Sequence, residues 1–488
     1  MTFVFTRDYN DPWFFVSKKS QEQKTDPRKT DLFISYDSWR KPVKKIELSE
    51  HFTKRKILIY SLPSIFETFA TTSFQMVDGY FVSNLLGLQP YVAVGLISPV
   101  FFLLYALGFM FGEGASALIA QIMGDGDKER GNKIFTMTTV VMLIFGVVVG
   151  IAAALLMPTL ARLVGASDSA FGYAVEYGRL LVFFLPMYLV NSAFASLWIT
   201  AEKGWYGMIV AAINGLGNVA LDWLFMGPLQ MGVDGAALAT SLSAVIAAAI
   251  TLFYFARPNE SSLRFTRFSL KDLKALLQIC INGASSMVDS IAGNLTVLLM
   301  NSQLIRYMGE IGVAAMEVYD YVVEFFLAIL FGISTTSVTI VGYKYGEKNR
   351  KELDGLAKDG ITLTLALGVA LCFLFYLCAE LIARIYVGYD EETFLLTVHA
   401  IRILSLSCII IGFSLFVSSF FTGLGNGLVS GLLSLVGSLV APIAMMYALP
   451  ALFGGDALWF SPFAATLITG LFCAIMLITQ YYRKKNIW

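Results

Sequence analysis

Charge is scarce in this sequence. Only 14% of its 488 residues are charged, whereas 57% are hydrophobic. A soluble domain carries about 25% charged residues, so the composition excludes an ordinary soluble fold. The net charge is zero, and nothing in the sequence favours binding to nucleic acid. We therefore expect a membrane protein, with the lipid bilayer as one partner.

The sequence also contains few histidines, few cysteines and few catalytic motifs. The two histidines, His51 and His399, stand apart and form no metal-ligand pattern. The five cysteines fall in apolar segments without the spacing of a redox or ligand site. No phosphate-binding P-loop occurs, which argues against ATP-driven transport. The polar first 55 residues contain no apolar core with a cleavage site, so we expect no signal peptide.

Long apolar runs follow the polar start and recur to the end of the chain. Each is as long as, or longer than, the roughly 20 residues that cross about 30 Å of hydrocarbon. The sequence predicts an all-α polytopic membrane protein with twelve transmembrane helices. The predicted spans are 56–86, 90–122, 134–157, 170–200, 205–226, 233–256, 273–305, 313–342, 355–387, 394–421, 427–452 and 457–482.

Lysine and arginine mark one side of the membrane. They concentrate in the N-terminal tail, in the connections after even-numbered spans and at the C-terminus. By the positive-inside rule, both termini and these connections are cytoplasmic. We expect a monomer in the cell membrane.

The chain repeats itself. A single ungapped shift of the sequence against itself superposes Gly124 on Gly346 and Thr200 on Thr422. Six spans return the chain to its starting side, so two six-helix lobes share one orientation and a pseudo-twofold axis along the membrane normal. The predicted domains are a cytoplasmic tail (1–55), an N-lobe (56–256), a cytoplasmic linker (257–272) and a C-lobe (273–488).

Most acidic residues inside the spans have no acidic counterpart in this repeat. Asp78 falls opposite a methionine and Asp222 opposite an alanine, whereas Glu67 is matched by Asp289. Features that the scaffold needs tend to appear twice. Most of these acids are therefore additions to the scaffold.

Helical spacing indicates where the acids point. Glu317, Asp320 and Glu324 stand at i, i+3 and i+7, on one face of a helix. Asn218 and Asp222 continue a four-residue polar repeat that begins at residue 214. Span eight thus has an acidic face and span five a polar ridge.

Basic partners for these acids are rare. Away from the span ends only Arg179 and Arg402 are basic, and Arg179 can pair with Glu176. An ionised acid facing lipid costs about 2.5 kcal/mol or more, so the remaining acids must be protonated, hydrated or opposed by cations. We interpret them as the lining of a cation-binding cavity. The alternative is that they are hydrated and inert near span ends; for Glu113, packing and transport both remain open.

Three segments resemble one known family. They are "LPSIFETFATTSFQMVDGYFVSNLLG", "GEGASALIAQIMGDGDKERGNKIF" and "NGLGNVALDWLFMGPLQMGVDGAALAT", and the likeness extends from about residue 56 to 482. They are similar to the multidrug and toxic compound extrusion (MATE) transporters, in particular the bacterial multidrug-export branch. The resemblance implies a V-shaped pair of six-helix lobes that exports organic cations in exchange for protons or sodium ions.

The resemblance also implies coupling residues. Many prokaryotic members use an acid on the first helix, an Asn-x-x-x-Asp step on the fifth and a hydroxyl on the sixth. These correspond here to Asp78, Asn218, Asp222 and Thr240. Their oxygens suit a proton-linked network or, as a metal ion, sodium. No other cofactor or metal is expected.

A second branch of the family uses an acid early in helix seven, which resembles Asp289, together with an acid on helix ten. Span ten contains no carboxylate here, so we do not expect a complete C-lobe sodium site. From spacing and the excess of acid we assign a cavity for amphipathic organic cations. The predicted substrate-binding residues are Glu67, Asp289, Glu317, Asp320 and Glu324.

Three other functions compete with cation export. A membrane aspartyl protease would need its Tyr-Asp, Gly-x-Gly-Asp and Pro-Ala-Leu motifs in that order, and here the "GDGD" stretch comes first, in a charged connection. A flippase for lipid-linked sugars would line its cavity with arginine or lysine for a pyrophosphate. An ion channel would not explain two duplicated lobes. We therefore expect a secondary antiporter that works by alternating access and is not an enzyme.

Overall fold

The computed structural model describes residues 46–482. Residues 1–45, most of the predicted tail, and residues 483–488 lie outside this range. Helices make up nearly all of the described part, and no strand occurs in it. The N-lobe contains α1 (Lys54–Leu86), α2 (Leu88–Gly124), α3 (Lys128–Leu163), α4 (Asp168–Phe183), α5 (Leu185–Thr200), α6 (Gly204–Met226) and α7 (Gly232–Ala256).

The C-lobe follows a basic connection and a 3-10 turn, Leu270–Lys274. Its α12 and α14 each continue into a π-helical turn, Leu435–Val440 and Leu477–Tyr482. Two 3-10 turns, Ser405–Ser407 and Gly455–Phe460, join neighbouring helices. The helices are α8 (Ala275–Gly346), α9 (Arg350–Val387), α10 (Glu391–Leu404), α11 (Cys408–Gly423), α12 (Gly427–Ser434), α13 (Ala441–Phe453) and α14 (Ser461–Met476).

The helices account for the twelve predicted spans. In the described part, nine helical stretches are long and apolar enough to cross a membrane, or ten if α4 and α5, which meet at a 60° bend, form one span. The 72-residue α8 is broken at Gly309, so its arms 275–308 and 310–346 are separate spans. The 33-residue α1, about 50 Å long at 1.5 Å per residue, completes the set.

Local backbone features obey the internal repeat. Gly87, between α1 and α2, and Gly309, between the arms of α8, both have positive φ, +83° and +69°. Glycine adopts this conformation without the penalty that other residues incur, so both lobes use it to reverse the chain. Asp127 caps α3 and Asn349 caps α9 by accepting a backbone hydrogen bond. Both pairs superpose under the same shift that superposes Thr200 on Thr422.

The two lobes meet closely at one end of the bundle. We name the end where α1 begins and α2 ends the basal end, and the opposite end, with Gly87 and Gly309, the distal end. A Cβ added at Gly124 would lie 2.1 Å from the carbonyl oxygen of Tyr343, and one at Gly346 would lie 1.9 Å from that of Gln121. Side chains do not fit here, so α2 and the second arm of α8 cross in backbone contact.

Hydrogen bonds between polar side chains continue this basal contact. The Ser116 hydroxyl on α2 is 2.7 Å from the Thr200 hydroxyl and 2.8 Å from that of Thr339, across the seam. The side-chain amide of Gln121 donates to the carbonyl of Gly423, at 2.7 Å. These polar groups thus have hydrogen-bond partners within the protein, as burial requires.

The distal halves of α1, α2 and the first arm of α8 are more open than the basal contact. A Cβ added at Gly79 on α1 or Gly95 on α2 would meet no described atom within 4 Å, and the same holds at Gly293 on the first arm of α8. The lobes are therefore in backbone contact at the basal end but not at these distal positions.

Candidate functional site

Helices α1 and α6 place the predicted coupling residues together. The Phe74 ring covers Gly215, where a Cβ would lie only 1.7 Å from the ring. This close approach brings the distal parts of both helices side by side. Asp78, one turn after Phe74, lies close enough to Asn218 and Asp222 on α6 to interact with both side chains. The four-residue polar repeat predicted for span five is thus directed at Asp78.

The fourth predicted residue joins the group through a hydrogen bond. The amide nitrogen of Asn218 donates to the Thr240 hydroxyl at 3.4 Å, and this hydroxyl donates to the carbonyl of Ala236 one turn earlier. The structure therefore gathers Asp78, Asn218, Asp222 and Thr240 from three helices. We name these four residues the N-lobe acid site.

The site contains several buried oxygens without a hydrogen-bond partner. Asp222 is 0% exposed and Asn218 is 8% exposed. Within the described residues, Oδ1 of Asp78 and both carboxylate oxygens of Asp222 form no hydrogen bond of good geometry, although the two carboxyl groups and the Asn218 amide lie close enough to interact. One turn before Asn218, Oδ1 of Asn214 also lacks a partner. An ionised, unpaired carboxylate in such surroundings costs several kcal/mol, and two adjacent carboxylates do not both ionise unaided. The site is chemically suited to a proton or a hard monovalent cation.

Sodium fits the donor set better than a transition metal does. Carboxylate, amide and hydroxyl oxygens are hard ligands. Among residues 46–482, no group of three histidine, cysteine or acidic side chains has the geometry of a metal centre. A sodium ion at Asp78, Asn218, Asp222 and Thr240 remains a prediction.

Two tyrosines near the site were not predicted from the sequence. Tyr177 on α4 and Tyr188 on α5 lie within electrostatic range of Asp78 and Asp222. The Tyr188 hydroxyl also shares a hydrogen bond of 3.2 Å with Ser241 on α7. The two tyrosines lie on either side of the 60° bend between α4 and α5. The only sequence signal for these residues was a tyrosine hydroxyl within span four. Because tyrosines are common packing residues, this signal was not specific.

Asp289 and Glu113 form a second polar group, at the seam between the lobes. Asp289 accepts hydrogen bonds from Ser434, at 2.8 Å, and from Ser438 in the π-helical turn after α12. Glu113 on α2 accepts a hydrogen bond from Ser286 on α8, and the two acids interact electrostatically. Glu113 thus bonds to the opposite lobe and stands beside a second titratable group, and a role in transport stays a prediction.

The acidic face of span eight lies on the second arm of α8, in the half nearer to Gly309. Asp320 interacts electrostatically with Glu317 and Glu324, as their spacing predicted. Tyr321 lies within range of the two glutamates. Among the described residues, no hydrogen bond or ion pair connects this acidic face with the N-lobe acid site. Glu67, near mid-helix on α1, lies within electrostatic range of Tyr105, and a shared cavity for these residues stays a prediction.

The basic residues within the spans do not neutralise these acids. Arg402 forms an ion pair with Glu380, at 2.8 Å. The Arg179 guanidinium donates to the carbonyl of Ala154, at 3.2 Å. The predicted Arg179–Glu176 pair is not among the ion pairs of the described residues, because Arg179 is directed toward α3 instead.

Two cavities of the described part lie at the basal end, away from the N-lobe acid site. One of about 560 Å³ is lined by Ser49, His51, Gly124 and neighbouring residues, and one of about 270 Å³ by Gln121, Tyr345 and neighbouring residues. Neither includes a predicted coupling or substrate residue.

Comparison with known families decides the identity of the fold. The MatE family model matches the chain twice, at residues 63–224 and 286–448. The chain belongs to the MATE family. The shift that superposes the two halves of the sequence places the start of the first match next to the start of the second. The predicted MATE resemblance and the twelve-helix, two-lobe fold are thereby confirmed.

Curated MATE relatives cover most of the chain. It is 22% identical over 437 residues to the multidrug export protein MepA of Staphylococcus haemolyticus, which covers 88% of this chain and 94% of the relative. It is 24% identical over 351 residues to the probable multidrug resistance protein YoeA of Bacillus subtilis, with 70% and 75% covered. Members of this family are multi-pass transporters of the cell membrane.

Solved MATE structures share the fold. An outward-facing multidrug resistance MATE transporter of the MOP superfamily superposes with a TM-score of 0.83 at 24% identity, over 91% of this chain and 100% of that one. A MOP superfamily transporter from Pyrococcus furiosus, described by the reverse polarity of its binding pocket, gives 0.81 at 24% identity, over 92% and 99%.

Proposed function

We propose that this MATE protein is a secondary antiporter that exports drug-like, amphipathic organic cations in exchange for protons or sodium ions. The observation that carries the proposal is the N-lobe acid site, in which the carboxyl groups of Asp78 and Asp222 are buried close together and form no ion pair with any described basic residue. Such a site gains free energy by binding a small cation. The names of the curated relatives, which are multidrug exporters, support the substrate class.

The packing supports alternating access. Basic residues concentrate in the connections at the basal end, which is therefore cytoplasmic under the positive-inside rule. The basal contact through Gly124 and Gly346 closes this side, whereas the distal positions at Gly79 and Gly95 are open. We infer that this arrangement faces outward. An ion enters the N-lobe acid site from outside, and an organic cation binds near the other acids from inside.

Separately imposed ion gradients test the proposal. Purified protein in liposomes should move ethidium against its gradient when a proton gradient or a sodium gradient is imposed, and should not do so without either. A tenfold gradient supplies about 1.4 kcal/mol for each ion exchanged, which supports about tenfold accumulation. Equal ethidium distribution under both gradients would contradict the antiport mechanism.

The acidic face of α8 offers a test of substrate binding. At 4 Å, one carboxylate attracts a cation by between about 1 and 4 kcal/mol, depending on solvation. Replacing Asp320 by asparagine should raise the KM for ethidium roughly tenfold and leave the maximal rate nearly unchanged. The exposed Glu310→Gln variant on the same arm is the matched control. An unchanged KM for Asp320→Asn would remove this face from the substrate site.

A flippase for lipid-linked sugars, the alternative weighed from the sequence, is the second candidate. The N-lobe acid site and the Glu113–Asp289 pair are acidic, which disfavours an anionic pyrophosphate. A fluorescent lipid pyrophosphate in the same liposomes distinguishes the two. We expect it to remain in its original leaflet.

A further inference from the structure

A short segment before α1 contacts both lobes at the basal end. Residues 46–53, which we name the strap, are not helical, and they turn where the amide of Glu50 donates to the carbonyl of Glu47 at 3.1 Å. On the N-lobe side, the amide of Leu48 donates to Oε1 of Glu202, just after α5, at 3.0 Å. The strap thus has a charged acceptor on the N-lobe.

The strap is also bound to the C-lobe by charged groups. Lys344, near the end of α8, is only 1% exposed, and its ammonium donates to the carbonyl of Ser49 at 3.0 Å and to Glu347 at 2.9 Å. His51 Nδ1 lies 2.7 Å from Oε1 of Glu352 on α9. Because a buried ammonium needs its acceptors, the strap carbonyl is part of the basal structure.

Two apolar side chains anchor the strap. Leu48 is 3% exposed and Phe52 is 1% exposed, which is unusual for an irregular surface segment. They belong to the same buried cluster as Ile340 on α8 and Leu356 on α9. The strap therefore adheres to the C-lobe although it is covalently joined to the first helix of the N-lobe.

The linker before α8 makes the corresponding contact in the other lobe. The amide of Arg264 donates to the Asn132 side chain at 2.8 Å, and that of Thr266 donates to the Thr136 hydroxyl at 3.0 Å. Both acceptors lie on α3, the third helix of the N-lobe, as Glu352 lies on the third helix of the C-lobe. Each lead-in segment thus docks on the third helix of the opposite lobe, although Arg264 and Thr266 lie just before residues 268–275, on which the internal repeat places the strap.

We propose that the strap is a basal latch that holds the lobes in the basally closed arrangement and must release one lobe before this end opens. The inference rests on the proposed alternating-access function. The cavity of about 560 Å³ is lined by Ser49 and His51 of the strap and by Gly124 and Asn349, which lie on opposite lobes. This space lies along the seam that opening would widen.

Distances between spin labels across the basal end test the latch. Glu129 on α3 and Lys351 on α9 are exposed and belong to opposite lobes. Both are changed to cysteine for labelling in the full chain, with the five native cysteines replaced. In the His51→Ala, Glu202→Ala double variant, we expect the population with a long label distance to rise about tenfold, because hydrogen bonds to charged groups are lost.

Controls keep the test decisive. Glu260→Ala removes a basal carboxylate whose side chain is 91% exposed and which lies 3.7 Å from Lys203, and it should leave the distances unchanged. If the double variant does not fold, Glu202→Ala alone removes the hydrogen bond between Leu48 and the N-lobe and should give a smaller rise. An unchanged distance distribution in the strap variant that folds would overturn the latch. The label distances do not depend on transport, whereas failure of the proposed function would appear as missing gradient-driven ethidium movement.

Discussion

Replacing Asp222 by asparagine is expected to abolish ion-driven export and leave the protein folded. The amide retains the size and one oxygen of the carboxylate but cannot exchange a proton or balance a cation. Coupling free energies of about 1–3 kcal/mol correspond to factors of about 5–150. We expect uphill ethidium export in liposomes to fall about 100-fold, at the upper end of this range, because Asp222 is fully buried. Asp78→Asn should behave in the same way.

Stability and a matched variant separate lost coupling from lost folding. Removing a buried acid that has no basic partner among the described residues relieves an unfavourable burial, so the thermal midpoint of Asp222→Asn should equal or exceed that of the unchanged protein. Asp234→Asn, in the exposed first turn of α7, makes the same chemical change outside the site and should retain full export. Wild-type uphill export by both Asp78→Asn and Asp222→Asn would show that the N-lobe acid site does not couple.

Alanine at Gly124 or Gly346 is expected to prevent basal closure. The new Cβ would lie 2.1 Å or 1.9 Å from a carbonyl oxygen of the opposite lobe, where real contacts stay beyond 3.0 Å. The helices must separate by about 1 Å, and overpacking of this kind costs roughly 1–3 kcal/mol. We expect export to fall at least about tenfold in each variant, with the basal end held open in label-distance measurements.

Gly95 provides the matched control for this prediction. It lies on α2 like Gly124, but a Cβ there would meet no described atom within 4 Å. Gly95→Ala should therefore preserve export and, through the better helix propensity of alanine, add about 0.5–1 kcal/mol of stability. Equal losses at Gly95 and Gly124 would indicate that glycine is needed for flexibility and not for close contact.

Physical patterns in the sequence predicted much of the architecture. Apolar length predicted the spans, since a bilayer imposes about 20 residues on every helix. Superposition of the sequence on itself predicted the repeat, and the structure shows it in Gly87 and Gly309 and in the caps Asp127 and Asn349. The four-residue spacing of Asn218 and Asp222 indicated a single polar face, which is the face directed at Asp78.

Other features had no sequence signal. Tyr177 and Tyr188 lie near the N-lobe acid site on either side of the bend between α4 and α5, and a tyrosine in an apolar span does not by itself indicate such a role. The strap is a polar, irregular segment whose two buried side chains depend on tertiary contacts with α8 and α9. Closure of the basal end is a property of one conformation. The same sequence must also adopt the conformation in which this end is open, so it does not indicate which end is closed.

Competition between ion and drug binding tests the central claim most directly. Linkage requires that an ion at the N-lobe acid site weaken the binding of an exchanged cation by the same factor as the cation weakens the ion. For the purified protein, we predict that the Kd of ethidium rises at least about tenfold when protons or sodium ions are added. In Asp222→Asn the Kd should not respond to either ion. An equal response in both proteins would contradict the assignment of coupling to Asp222.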